Sequence, residues 1–596
     1  MKNTVKVLFA AMFVAAACCK PPVAEWTEGE TVEHRRALNT LVLRNVPEGS
    51  RVWFQEIFDR REIVEGPQIN HYQGTSFYID IPESGDITIK YYGRALPRRS
   101  WAPEGFVLQQ KGRKDRPMEV KYNFLEHPKA DVQFEASYEV QPADIIPQVK
   151  RVHYGAEQVA TNDAEKPAGW YRIIIGEDLE PVIEAGDEDG RFYAQVTLDK
   201  LPRPLRPMTI EDWPDYAHRG FMLDVVRDFR SVEDVIKVID IMVSLKMNVL
   251  HLHLGDDEAW CLEIKALPEL TAYSGTHALP DWDLQETSAL KPTANGRIGN
   301  KTFYTEEEYL QILKYAWERR ISVIPEFDAP GHSRASIKAM QARERNTGDD
   351  SFRLQDPADT SIYWTAQDFT DNVLSVYLPS VYKFYGVVFD EVVRIYKEAG
   401  VPLPAIHIGG DEVPDGAWTG RDRHQMKEEF TIGILQLVEE RGIRLAGWED
   451  LALGVDDETL ARMLKSLYAV NVWNTKGIDG VPVILSPADY TYMDLAYGLD
   501  ADDIGLTWAG CVDESKSFSL DPSEYAGTVV GVQAQLWSEN IRSFDDVSFQ
   551  LLPKMLGVAE RAWNAKADAD FNRFNSIIKA REIPAWEQAG YNYKRR

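Results

Sequence analysis

Cysteine is scarce in this chain: there are four in 596 residues, with Cys18 and Cys19 adjacent near the N-terminus and only Cys261 and Cys511 in the body. That leaves no disulfide framework of the kind that staples small exported domains. The two internal residues read as small buried hydrophobes rather than reactive thiols. Basic residues are in deficit, with 66 Lys and Arg against 94 Asp and Glu, giving a formal charge of −28 that no basic cluster interrupts. Such a field repels phosphate backbones, so nucleic acid is not an expected partner. The sequence also lacks a glycine-rich dinucleotide turn, which argues against an open doubly wound nucleotide-binding sheet. The apolar run from Val7 to Ala17 is about eleven residues long, well short of the roughly twenty needed to span a bilayer as a helix.

That run follows Lys2 and Lys6 and ends in Ala-Ala-Ala-Cys, so residues 1–18 are expected to be an export signal. The junction resembles a bacterial lipoprotein processing site with Cys18 as the lipidated residue. The expected location is therefore periplasmic or at the cell surface, with membrane contact only through that N-terminal lipid.

What is present is ample apolar material, 44% of residues beside 27% charged, enough for about two to four units at this length. Residues 26–134 alternate short β-rich runs (LNTLVLRNV, SFYIDI, DITIKYYG) with turn clusters (PEGS, IPESGD), as an antiparallel β-rich domain does. Residues 136–205 carry strand-like VKRVHYG and WYRIIIG, then DEDGRFYAQVTLDKL, in which Phe192, Val196 and Leu198 line one face of a helix or strand. This predicts a small α+β domain. From residue 213 to 575 apolar extended runs alternate with amphipathic helices, the signature of stacked βα units. The expected strands are GFMLDVV, NVLHLHL, ISVIPEF, AIHIGG, IRLAGW, AVNVWN, ADYTYMDL and VVGVQAQLW. Helices between them show capping pairs, Ser231 with Asp234 and Thr305 with Glu308. The predicted fold class is α/β: a (β/α)₈ barrel of the TIM type preceded by the two smaller domains.

A parallel barrel places its chemistry where the strands end. Here the ends are followed by Asp224 and Arg227; His253, Asp256 and Asp257; Glu326, Asp328 and His332; Asp411 and Glu412; Trp448; Trp473; Tyr492 and Asp494; and Trp537 and Glu539. Any one of these reads most simply as a solvated strand end or a structural pair. All eight together read as a site, and carboxylates, one Arg and several aromatic rings suit a sugar: ring faces cover pyranose C–H surface and carboxylates accept hydrogen bonds from hydroxyls. Asp411 beside Glu412 would hold a proton on one of the two, because a neighbouring anion and burial both disfavour ionisation. Adjacent strand residues point to opposite faces, so both serve one site only if the strand ends there, and Gly409 and Gly410 allow that break. Two other readings compete. His251 and His253 form an HxH pair that a metal-dependent barrel hydrolase would use, although the tryptophans have no role around such an ion. A non-catalytic carbohydrate-binding protein would need the same lining without the acid.

The motif HIGGDE at His407 to Glu412 resembles that of the β-N-acetylhexosaminidases of glycoside hydrolase family 20. Supporting motifs are HRGFMLDVVR (from His218), HLHLGDDEAW (from His251), EFDAPGH (from Glu326), GWED around Trp448, YMD at Tyr492 to Asp494 and LWSE at Leu536 to Glu539. IIPQVKRVHYG and IEAGDEDGRFYA resemble the family's small companion domain, whereas residues 26–134 match no named unit and read as scaffold. The resemblance implies exo-acting, retaining removal of terminal β-linked N-acetylglucosamine or N-acetylgalactosamine from a glycan. The sugar's own acetamido oxygen is the nucleophile, and neither cofactor nor metal takes part. It implies Glu412 as acid and then base, and Asp411 as the group that orients the acetamido and stabilises its charge. Arg227, Asp494 and Glu539 would bind hydroxyls, and Trp448, Trp473 and Trp537 would wall the pocket. Tyr492 would bond the acetamido oxygen, Trp508 is a further candidate from the same region, and Asp256, Asp328 and His332 would form a supporting network. One departure is Asp228, where many relatives have His. The polar stretch Leu279 to Thr302 is longer than a barrel loop needs and is expected to shape the outer site.

Overall fold

The computed structural model describes residues 20–33, 36–56, 62–94, 99–126, 133–155, 165–275, 278–280, 282–283, 301–565 and 570–595. The export-signal expectation, with Cys18, lies outside the described residues, as does most of the Leu279 to Thr302 stretch.

The eight parallel strands of the barrel are β1 (His218–Asp224), β2 (Val249–Gly255), β3 (Ser322–Ala329), β4 (Ile406–Gly409), β5 (Leu445–Trp448), β6 (Leu467–Val472), β7 (Gly477–Leu485) and β8 (Ala526–Leu536), and β8 closes onto β1. Every residue of β1, β2, β4 and β5 is buried. That follows from their position between a filled barrel interior and an outer helical ring, so both faces of each strand are covered and burial does not alternate along it. Helix Val232–Ser244 starts at Ser231, whose side chain accepts from Asp234 N, and helix Glu306–Glu318 starts with a Thr305–Glu308 capping box.

The seventh strand corrects the sequence reading. ADYTYMDL is not a barrel strand: Ala488–Thr491 is a helical turn, and Tyr492 makes only an isolated bridge to Gln535. The strand is Gly477–Leu485, whose two glycines and Pro482 weaken the β pattern that sequence reading relies on. Its register against β8 shifts between Gly477 and Pro482 and again between Val483 and Ile484, and it still pairs with both neighbours.

Ahead of the barrel, helix Glu188–Lys200 packs on a four-stranded antiparallel sheet, so the Phe192, Val196, Leu198 run is helical, started by Asp187. The described strands between residues 23 and 123 form two facing sheets around a core that includes Trp26, Leu41, Phe54, Phe77 and Phe106. Strand Arg36–Val46 alternates buried and half-exposed residues, as a strand with one core face must. Three strands of the second sheet, Arg51–Gln55, Ser76–Asp80 and Glu104–Gln109, pair so that Gln55 faces Ser76 on one side and Glu104 on the other. This end of the sheet meets the barrel mouth: Gly74 N donates to Asp368 O, Arg99 N donates to Ala501 O, and Arg542 is ion-paired with Glu104.

Candidate active site

Strand β4 ends in a backbone conformation that side chains resist. Gly409 (φ 71°) and Gly410 (φ 102°) are left-handed, and Glu412 follows with φ 43°. A Cβ on Gly409 would fall 1.7 Å from Asp328 Oδ1, so the position needs glycine for space as well as for φ. The turn abolishes strand alternation, and the neighbouring side chains of Asp411 and Glu412 open into one cavity. Gly409→Ala is expected to destabilise the fold by at least about 1–3 kcal/mol from backbone strain alone. It should lower the melting temperature and displace Asp328. An unchanged melting temperature would contradict this account of the turn.

The cavity has a volume of about 600 Å³ at the C-terminal end of the barrel, within the usual range for small-ligand sites. Arg227, Asp328, His332, Asp411, Glu412, Trp448, Trp473, Tyr492, Asp494, Trp508, Trp537 and Glu539 all line it. Asp256 does not; it lies behind the wall and holds three other groups, Arg227 at 2.6 Å, His253 at 2.7 Å and His332 at 3.1 Å. The aromatic wall is continuous. Trp448 and Trp537 have ring centroids 5.8 Å apart, Tyr492 is 6.3 Å from Trp537 and 5.9 Å from Trp508, and Trp508 is 6.3 Å from Trp473. Trp448 is buried and donates Nε1 to Glu326 at 3.0 Å, whereas Trp508 is 58% exposed at the rim. Tyr492 and Asp494 reach the cavity from the segment after β7 and not from a strand end.

Charge runs in a line behind the wall. Glu326 accepts from His253 at 2.6 Å, His253 contacts Asp256, Asp256 contacts His332, and His332 Nε2 lies 3.4 Å from Glu412 Oε2. The flanking carboxylates raise His253 and His332 well above the ordinary imidazole value despite burial, so both are imidazolium. The hydrogen bond from His332 holds the Glu412 carboxyl below the ordinary glutamate value, outweighing the opposing effect of burial. Asp411 is the reverse: burial, with the Glu412 charge adding to it, pushes its carboxyl up to about 7 against the pull of His332. Asp328, buried beside Asp411, is pushed well above the ordinary range. Burial and then Glu539 raise Asp494 to about 8. Of the two carboxyls, Asp411 is therefore the one that keeps a proton to higher pH.

Several cavity atoms have unused hydrogen-bonding capacity. Asp411 Oδ1, Asp494 Oδ2 and Glu539 Oε2 are buried without a partner among the described residues, an arrangement that is unfavourable unless a ligand supplies the missing donors. Arg227 is buried between Asp224, Asp256 and Glu258 and sits 5.0 Å from the Trp537 ring centre, which fixes its direction into the pocket. Asp228 pairs with Arg230.

Some lining residues escaped the sequence reading. Glu258 lies in the motif that begins at His251, and its place beside Asp256 and Asp257 was a usable signal. Gln367, which donates to Glu412 Oε2 at 3.3 Å, and Arg542 carry no local signal. Gln55, Glu56, Thr75, Trp101, Ala102 and Glu104 come from the N-terminal β-rich unit, so that unit contributes to the cavity wall in addition to any scaffolding role.

Among the described residues, four sets of His and carboxylate groups lie close enough to hold a metal ion: His251, Glu326 and His407; His253, Asp256 and Asp328; Asp256, Asp257 and His332; and Asp328, His332 and Asp411. In the first and third, the imidazoles already contact the carboxylates directly, at 2.8–3.3 Å.

Comparison with known proteins places this geometry in context. The model of the catalytic domain of glycosyl hydrolase family 20 matches residues 216–566. A β-hexosaminidase of Vibrio vulnificus is 30% identical over 527 residues, covering 72% of this chain and 62% of that protein, so the chain spans less than two thirds of this relative's length. A β-hexosaminidase of Vibrio furnissii is 32% identical, covering 72% of this chain and 70% of its own length. Among solved structures, a family 20 exo-β-N-acetylglucosaminidase from Vibrio harveyi in complex with N-acetylglucosamine superposes with a TM-score of 0.77 at 22% identity, over 97% of this chain and 100% of that one. At that identity the likeness concerns the fold.

Proposed function

Because the chain belongs to glycosyl hydrolase family 20, we propose that it is an exo-acting, retaining β-N-acetylhexosaminidase that removes terminal β-linked N-acetylhexosamine with the substrate's acetamido group as nucleophile. The observation that carries this reading is the turn that brings Asp411 and Glu412, neighbours in sequence, into one aromatic-walled cavity.

In the first step the acetamido N–H donates to the Asp411 carboxylate, and the acetamido oxygen attacks the anomeric carbon as the glycosidic bond breaks. Glu412 delivers its proton to the departing oxygen. The product is a cyclised oxazolinium whose positive nitrogen lies against the Asp411 anion. In the second step the Glu412 carboxylate takes a proton from water, which attacks the anomeric carbon. The ring opens to restore the acetamido group, leaving the β configuration retained. Tyr492 bonds the acetamido oxygen, Trp448, Trp473 and Trp537 exclude water around it, and Arg227, Asp494 and Glu539 hold hydroxyls.

The productive free enzyme carries one proton on the Asp411–Glu412 pair, and substrate moves it: an N–H donor demands an anion at Asp411, and the glycosidic oxygen demands a proton at Glu412. The pair takes up its second proton below the ordinary glutamate range and loses its last near 7. The expected kcat/KM profile is therefore a bell falling on the acid side below that range and on the alkaline side near 7. His332 lowers both values, so His332→Gln should move the bell toward higher pH by about one unit. A profile left in place would mean that His332 does not set the pair's ionisation.

The direct test is hydrolysis of paired chromogenic N-acetylglucosaminide and N-acetylgalactosaminide, with and without a thiazoline that mimics the cyclised intermediate. Turnover of at least one, blocked by the thiazoline, is expected. Turnover that the thiazoline leaves untouched would overturn the mechanism, and sugar binding without turnover would favour a binding protein.

A further inference from the structure

We propose that the N-terminal β-rich unit builds the subsite for the leaving group, and that Gln55 and Gln367 together recognise a neutral sugar there by hydrogen bonds. This rests on the reading of Glu412 as the acid, which fixes the leaving-group side of the cavity as the side beside its carboxyl.

Gln367 marks that side. Its Nε2 donates to Glu412 Oε2 at 3.3 Å, and its Oε1 is buried without a partner. The segment that carries it is joined to the N-terminal unit next door, where Gly74 N donates to Asp368 O at 3.3 Å and a side chain at position 74 would strike the Phe369 ring. Gly74 precedes Thr75, whose carbonyl accepts from Glu56 N, and Gln55, Glu56 and Thr75 all line the cavity. The sheet end of the N-terminal unit is thus docked beside the acid.

Gln55 is the informative residue. It is 4% exposed, lines the cavity, and its Nε2 has no partner among the described residues. A buried amide nitrogen without an acceptor is unfavourable in a folded protein unless something supplies one. Gln55 and Gln367 therefore leave one unmet donor and one unmet acceptor at the same end of one cavity. A pyranose bearing hydroxyls or an acetamido group satisfies both at once; an unsubstituted phenyl group satisfies neither. Glu56 lines this side as well, and its carboxyl makes a carboxylate-bearing sugar the wrong partner. The inferred natural leaving group is an uncharged sugar, such as a second N-acetylhexosamine, in preference to a uronic acid.

The experiment compares kcat/KM for three substrates in the full-length wild type and in Gln55→Leu and Gln55→Glu variants. The substrates are the phenyl β-N-acetylglucosaminide, the β-linked disaccharide of two N-acetylglucosamines, and N-acetylglucosamine β-linked to glucuronate. Loss of one well-placed hydrogen bond corresponds to about tenfold. The expected result is a roughly tenfold fall on the disaccharide of two N-acetylglucosamines in both variants, with aryl hydrolysis within about twofold of wild type. Wild type should also prefer that disaccharide to the glucuronate one. Gln55→Glu keeps the shape and removes the donor, so a loss seen only in Gln55→Leu, or an equal loss on aryl and disaccharide substrates, would assign Gln55 a structural role and overturn the proposal. Unchanged disaccharide hydrolysis, or equal rates on the glucuronate compound, would overturn it as well. If wild type cleaved none of the three, the parent reading would fall and this one with it.

Discussion

Glu412→Gln is expected to lower kcat on a sugar leaving group by about 10²–10⁴-fold, the usual span of a positioned general acid, while sugar binding stays near wild type. The substitution keeps the shape of the side chain and removes the transferable proton. The carboxyl it replaces is unusual in that 36% of its side chain is accessible, and that surface opens into the cavity that the substrate would fill. The loss should be smaller on an aryl glycoside, because a phenolate departs with little help from an acid. The second step also loses its base, so product formation slows on every substrate. Steady-state rates on both classes, with an equilibrium dissociation constant for a non-hydrolysed analogue, check this. Near-wild-type turnover of the disaccharide would remove Glu412 from its role.

Asp411→Asn is the second large effect, with kcat lowered by about 10²–10³-fold, comparable to loss of one electrostatic stabiliser. A neutral amide provides no counter-charge for the oxazolinium nitrogen. Its NH₂ can also turn a donor toward the acetamido N–H, which is itself a donor. Asp411 Oδ1 is buried with no hydrogen-bond partner among the described residues, so it can accept from the acetamido N–H once the pair's proton has moved to Glu412. A glycoside lacking the acetamido carbonyl discriminates between an electrostatic and a structural cause. Wild type should cleave it very slowly, and Asp411→Asn should then make little further difference. A full penalty on that substrate would show that the residue acts on something other than the acetamido group.

The strand ends were legible because short motifs carry both the turn and the chemistry. Gly409 and Gly410 announced a broken strand, and two carboxylates after it followed from the same six residues. The seventh strand was hidden because Gly477, Gly480 and Pro482 dilute its pattern, while ADYTYMDL, an aromatic segment beyond the strand, imitates one. The proton's position was not legible at all. Adjacency predicts that one of the pair is protonated; which one depends on His332 standing 3.4 Å from Glu412 and on the burial of Asp411, both set by folding. Gln55 was invisible for a related reason, since nothing in its strand differs from scaffold until the sheet end docks on the barrel mouth.

The central claim is that the attacking atom belongs to the substrate. It is tested most directly by measuring kcat/KM across aryl glycosides whose acetamido methyl carries none, one, two or three fluorines. Fluorine withdraws electron density from the carbonyl oxygen and hardly changes its position, so a steep, monotonic fall along the series is the result this mechanism predicts. A flat series, with the same bond cleaved at the same rate by wild-type enzyme, would mean that the oxygen is a bystander and that a protein group makes the attack.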